Sequence, residues 1–324
     1  MITGVLRETA SMEQRVALTP ADTARLAEDD IRVVVEREAG AGAGFRDAEY
    51  RASGAVIVDD RADIFRGADV VVWVKPPAFS VAGMPLREGL VLLGFQDPLH
   101  RRAEIARLTV RGVKSLAFED VQRDDASAEI DALSVMSRMA GSIAYGRGRA
   151  TLAPDLLAHP VRALVLGCGA AGLAALGAAE TFGDRKPTAV GNRLAQEAAA
   201  LRGGAGRFVL NAHGNRRAIR ELIAAEPPEL VICAAVHRGT RAPVLLDDAS
   251  LDLLAPGAVV VDLAAKAGGN CSAARADTTV HRKGVTITHR SNYPSDRPDA
   301  ASRAYSAAVA AMIRRIAEAV PGRG

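Results

Sequence analysis

Short runs of apolar, mostly β-branched residues alternate with amphipathic stretches from the start of the chain. The runs are ITGVL at 2–6, IRVVVE at 31–36, DVVVWVK at 69–75, LVLLGF at 90–95 and VKSLAF at 113–118, with a helical PADTARLAEDD from Pro20 between the first two. Continuous apolar runs of this kind suit parallel strands covered by helices on both faces; a half-wet sheet would alternate apolar and polar positions. The pattern predicts one α/β domain before residue 125. A long helix over about 128–149 then leads to a second set of strands, RALVLG, PTAVG, ELVICAA and GAVVVDLA, followed by VTITH at 285–289. After the Pro-punctuated SNYPSDRP a last helix is predicted over about 299–320, with an apolar face long enough to dock on the first domain. The expected architecture is two doubly wound parallel-sheet α/β domains, one of residues 1–125 plus 294–324 and one of 126–293.

A chain of 324 residues suits two domains, and 49% hydrophobic against 24% charged residues is a globular balance. The formal charge of +3 names no partner, and with 4% aromatic residues the chain lacks the stacking groups that single-stranded nucleic acid requires. No nucleic-acid partner is expected. Arg7 and Glu8 interrupt the N-terminus before any apolar run of signal-peptide length, so the cytoplasm is the expected compartment. Residues 163–179 are uncharged but glycine-rich and too short for a membrane span, so no span is expected. Cys168, Cys233 and Cys271 have no metal-ligand spacing and are odd in number, which predicts buried thiols, not a disulfide framework or a metal site.

LVLGCGAAG at 164–172 sets Gly167, Gly169 and Gly172 in GxGxxG spacing between a strand and an Ala-rich helix. The first glycine permits the tight turn, the second lets a pyrophosphate approach the backbone, and the third lets helix and strand pack closely. Ala170 and Ala171 open the helix whose N-terminus would face the anion. About 20 residues on, an NAD-binding chain would carry an acidic ribose acceptor. Here the strand ends AVGNR: Gly191 stands at that position, and Asn192 and Arg193 can donate to a 2′-phosphate. NADP(H) is therefore expected over NAD(H).

Three blocks, GVLRETASMEQRVALTP at 4–20, the GCGAAG loop, and VVVDLAAKAGGNC at 259–271 with SNYPSDRPDAAS at 291–302, resemble the alanine dehydrogenase and transhydrogenase α-subunit superfamily. The resemblance covers nearly the whole chain. It implies two Rossmann-like domains, the nucleotide on the second, and hydride transfer in a cleft between them. It also implies that Arg15 holds a substrate carboxylate and that Lys75, in WVKPP, contacts the substrate. A guanidinium can grip a carboxylate through two parallel hydrogen bonds, and an ammonium can polarise a keto or imino group.

The departures from that family bear on the chemistry. Asp97 stands where alanine dehydrogenases carry their catalytic histidine, and Lys266 where they carry an acidic residue; the two are read as a possible reversed catalytic pair and a changed substrate. Arg123, Asp131 and Ser134 fall where transhydrogenase α subunits contact nucleotide, although Ala128 replaces that family's glutamine. Met136 and Ser137 are expected beside the nicotinamide, and Ala234 and Ala235 beside its ribose, with Asp262 and Asn292 completing the cofactor set. A histidine such as His237 is a candidate acid or base, but the resembling sequences keep no histidine there, so it is given no catalytic role. The long mobile insertion of transhydrogenase α subunits is missing between RFVLNAHGN and ELVICAA.

The expected activity is hydride transfer between a nicotinamide and a small amino, imino or keto carboxylate. The alternative is a component that hands hydride to a partner's cofactor. Related chains assemble through the long interdomain helix, and the apolar segment 130–144 predicts a homodimer or larger homo-oligomer.

Overall fold

A computed structural model describes residues 1–122, 124–237 and 239–319. The chain forms two compact units, Met1–Met136 together with the C-terminal segment from Pro294, and Ser137–Tyr293. The first unit thus includes Asp131, Ser134 and Met136, which the sequence assigns to the nucleotide-binding half.

In the first unit β1 (Ile2–Val5), β2 (Arg32–Glu36), β3 (Val56–Val58), β4 (Val70–Val72), β5 (Val91–Gly94) and β6 (Lys114–Ala117) form one sheet in the order β3-β2-β1-β4-β5-β6. Every pairing is parallel. The strand order reverses direction between β1 and β4, and in open α/β sheets ligands bind beyond the carboxyl ends at such a point. The run predicted to 75 leaves the sheet after Val72. Its next amides explain why: the N–H groups of Val74 and Lys75 donate to the Glu8 carboxylate at 2.6 and 3.1 Å instead of extending a ladder.

The helix Pro298–Ala319 belongs to this unit and fastens the segment after β1. The amides of Val16 and Thr19 donate to Ser302 and Ser306 Oγ at 3.0 and 2.9 Å, and Tyr305 OH donates to the Trp73 carbonyl at 2.9 Å. Ser302 and Ser306 lie one turn apart, so a single helix face supplies both acceptors. The long helix begins later than the sequence predicts, at Ala132, and runs to Thr151. Residues 125–130 form a 3-10 segment, and Asp131 then caps the α-helix by accepting the Ser134 N–H at 3.1 Å.

In the second unit β7 (Ala163–Leu166), β8 (Thr188–Gly191), β9 (Arg207–Leu210), β10 (Leu230–Cys233), β11 (Val259–Asp262), β12 (Thr279–Arg282) and β13 (Val285–Thr288) take the order β12-β13-β11-β10-β7-β8-β9. Only β12 and β13, at one edge, pair antiparallel. Alternation along each strand feeds two cores: Val165, Ile232 and Val261 enter one, and Leu164, Val231 and Val260 the other. Both faces being buried is the reason the runs read as continuously apolar. The three cysteines are free and buried. Among the described residues no helix is long and apolar enough to cross a membrane.

Candidate active site

In the first unit the loops after β1 and β4, on either side of the strand reversal, bring Glu8, Glu13, Arg15 and Lys75 together. Glu13 and Arg15 are two residues apart, and the guanidinium forks onto the carboxylate with Nε–Oε1 at 2.7 Å and Nη2–Oε2 at 2.6 Å. Ser295 Oγ donates to the same Oε1 at 2.8 Å, and Lys75 Nζ lies 4.0 Å from Oε2. Arg15 Nη1 meets Met136 Sδ at 3.1 Å. The fork expected to hold a substrate carboxylate is thus engaged by an internal one. Met136, expected beside the nicotinamide, packs on the guanidinium.

The cations differ in reach: the Arg15 side chain is 2% exposed and that of Lys75 19%. Lys75 is the more accessible of the two. Burial and then the Glu13 charge push the Glu8 carboxyl up to about 8, against the opposing N–H groups of Val74 and Lys75 and the charge of Arg15. For Glu13 burial acts upward, but the Arg15 hydrogen bonds and charge, with Lys75 and Ser295, outweigh it and bring the carboxyl down to about 2. Adjacent carboxyls therefore stand in different protonation states at neutral pH.

Asp97 follows β5, in left-handed backbone conformation at φ 50°, ahead of the helix Pro98–Val110. Its N–H donates to Glu119 Oε1 at 2.9 Å, and its Oδ1 lies 2.7 Å from His100 Nδ1. His100 thus places an imidazole beside Asp97 from three residues on, a spacing visible in DPLH but passed over in the sequence. Lys266 sits exposed in the 3-10 turn Ala265–Ala267 of the second unit, near Asp277. Asp97 and Lys266 belong to different units, and each has its own neighbours.

In the second unit the strand order reverses between β7 and β10, and the glycine loop stands at that point. Gly167 has φ 106°, and a Cβ there would lie 2.6 Å from the Ala234 carbonyl carbon and oxygen and 2.7 Å from the Ala235 nitrogen. The loop and the Ala234–Ala235 backbone are therefore in direct contact. A Cβ on Gly172 would come within 1.7 Å of the Gly167 oxygen, whereas one on Gly169 would have no neighbour within 4 Å. Gly169 also precedes the helix Ala170–Thr181, whose first residues are Ala170 and Ala171. One glycine thus serves packing, and the other leaves open space at a helix N-terminus, as an approaching pyrophosphate requires. The residues fit a dinucleotide.

At the end of β8 a Cβ on Gly191 would meet Phe208 Cε2 at 2.6 Å and Gln196 Oε1 at 2.7 Å. Gln196 Oε1 accepts the N–H groups of Asn192 and Arg193 at 3.0 and 3.1 Å, leaving both side chains exposed. Asn192 Nδ2 lies 3.4 Å from His237 Nε2. Asp262 is fully buried, and its two oxygens take the N–H groups of Ala264 and Cys271 at 2.9 and 2.8 Å. Burial raises its carboxyl. The position braces the loop after β11, as does Asn270, which the sequence reading passed over and which bonds Ala235 N and O at 2.9 and 2.8 Å. Asn292 and Ser134 are buried, and Ser137 is half-buried. Arg123 lies outside the described residues.

The chain is similar to known proteins over most of its length. The chain is 30% identical to the NAD(P) transhydrogenase subunit alpha of Haemophilus influenzae over 99% of its own length and 67% of that protein's. It is 31% identical to the alanine dehydrogenase of Mycobacterium tuberculosis over 87% of the chain and 77% of that enzyme. A solved transhydrogenase structure from Sinorhizobium meliloti superposes with a TM-score of 0.88 at 29% identity, covering 98% of this chain and 95% of that one. Residues 4–140 match the family model "Alanine dehydrogenase/PNT, N-terminal domain" and residues 140–321 its C-terminal counterpart. The chain belongs to the alanine dehydrogenase/PNT family.

Proposed function

We propose that the chain is an NAD(P)(H)-dependent oxidoreductase that passes hydride between a nicotinamide and a small carboxylate bearing an amino, imino or keto group. The observation that carries this reading is the glycine loop at the strand reversal of the second sheet, closed against Ala234–Ala235 and open at Gly169. When bound, the nicotinamide supplies or accepts the hydride. Lys75 meets the substrate and polarises its carbonyl or imine, since a fixed ammonium stabilises negative charge as it develops. Glu13, itself locked by Arg15, holds the Lys75 ammonium at 4.0 Å, and Glu8 fixes the backbone that carries it. The Asp97–His100 pair, 2.7 Å apart, is the candidate for handling the proton.

The test is turnover by the purified chain alone against panels of amino and keto acids. Cofactor oxidation or reduction without a partner protein supports the reading, and Lys75→Ala should lower the turnover number at saturating substrate, not only raise KM. The second reading, a component that passes hydride to a partner's cofactor, is favoured by the transhydrogenase subunit among its relatives. It predicts silence across the panels and activity on adding the partner. Between Leu210 and Leu230 there is one ten-residue helix, Arg216–Ala225, and no long insertion, which favours the first reading.

NADP(H) is the proposed cofactor, because Gly191 offers no acidic ribose acceptor and Asn192 and Arg193 are exposed beside it. Calorimetry with both nucleotides tests this directly. Gly191→Asp is an impaired probe, since its Cβ collides with Phe208 and Gln196; Arg193→Ala is the cleaner one. Self-association is proposed through the apolar segment 130–144, in which Leu133, Val135, Met139 and Ala140 are half-buried. Sedimentation at micromolar concentration measures it.

A further inference from the structure

His237 follows β10 and Asn192 follows β8, and in the sheet these two strands flank β7, from which the glycine loop springs. The two side chains nevertheless come together, Asn192 Nδ2 to His237 Nε2 at 3.4 Å. Both residues are exposed. A nitrogen–nitrogen contact of this length is a weak bond, readily exchanged for a better acceptor. In dinucleotide-binding sheets of this order, the residue that closes the second strand faces the adenosine ribose. Here that strand is β8, the residue is Gly191, and Asn192 follows it directly. His237 therefore stands beside the ribose position at the end of β8.

The geometry points to His237 as a third donor, with Asn192 and Arg193, for the phosphate that distinguishes NADP(H) from NAD(H). The Asn192 amide, which donates to Nε2 in the mutual contact, turns its hydrogen to a phosphate oxygen; the imidazole, in the tautomer that carries its hydrogen on Nε2, donates to another, and Arg193 adds charge from the next position. Each donor is a side chain, and the backbone amides of 192 and 193 stay on Gln196. The inference deepens the NADP(H) reading and rests on it.

The two can fail separately. Titration of the full-length protein with 2′,5′-ADP and with 5′-AMP, by calorimetry, isolates the contribution of the 2′-phosphate. The wild-type protein should bind 2′,5′-ADP the more tightly. His237→Ala should lower that ratio about 2- to 12-fold, the effect of one hydrogen bond, with 5′-AMP affinity unchanged. His237→Lys, which restores a donor, should recover the ratio. A wild-type ratio at or below one overturns the NADP(H) reading and this inference with it. A wild-type ratio above one that His237→Ala leaves unchanged, or a His237→Ala loss shared equally by both ligands, overturns the inference alone.

Discussion

Two glutamates in the loop after β1 are driven in opposite directions by one cluster, and the pH dependence of stability should register both. Glu8 is held at about 8 in the folded protein against an ordinary 4.5, so between those values the unfolded chain ionises first and stability falls as pH rises. Glu13 is held at about 2, so its contribution is complete above 4.5 and is lost as pH falls from there. The contribution of this pair should therefore peak near pH 4.5. Urea unfolding across pH 4.5–8 should show a shallower decline for Glu8→Gln than for the parent protein. Arg15→Ala strands the buried Glu13 carboxylate and should cost about 3–5 kcal/mol, while the double change Glu13→Gln with Arg15→Met should restore most of the loss. At this scale Arg15 and Lys75 stand out in the sequence because their residue types resemble the family pattern, and the structure brings both onto Glu13. Glu13 as their partner does not stand out, because what fixes it includes Ser295, far away in the chain.

Among the elements, the glycine loop divides into positions that serve the fold and one that serves a ligand. Gly172→Ala forces a Cβ onto the Gly167 oxygen, and overpacking of this kind costs about 1–3 kcal/mol. Gly169→Ala meets open space at an ordinary φ of −85°. It should keep the thermal midpoint of the parent protein and still weaken dinucleotide binding, which a thermal scan paired with nucleotide titration would separate. The spacing of the glycines and the strand on which they sit were readable from the sequence. The end of β4 was not: its apolar pattern runs on to Val74, and only Glu8, brought in from β1, ends the ladder. The start of the long helix was misread for a local reason, the Asp131 cap, whose acceptor role depends on where the preceding 3-10 segment stops.

Over the whole molecule, the first unit is built from both parts of the chain, and its site is sealed from the far one. Ser295, Ser302, Tyr305 and Ser306 all bond to the segment after β1 or to the end of β4. A chain ending at Tyr293 should therefore retain a cooperative unfolding transition from the second unit and lose that of the first, as calorimetry of the truncated protein would register. The two-domain plan with a returning last helix was legible because the apolar face over 299–320 needs a surface to cover. Which serines would meet which amides was a matter of packing alone.

That discontinuity sets an order of events on the ribosome. Domains generally mature in the order in which they are made. Here the strands of the first sheet emerge first but wait for the helix Pro298–Ala319, whereas Ser137–Tyr293 is complete in one stretch. The later-made half can close while the earlier one is still open. Throughout that interval Glu13 and Arg15 remain accessible to water, and the binding chemistry of the first unit comes into being only once the helix Pro298–Ala319 has been made.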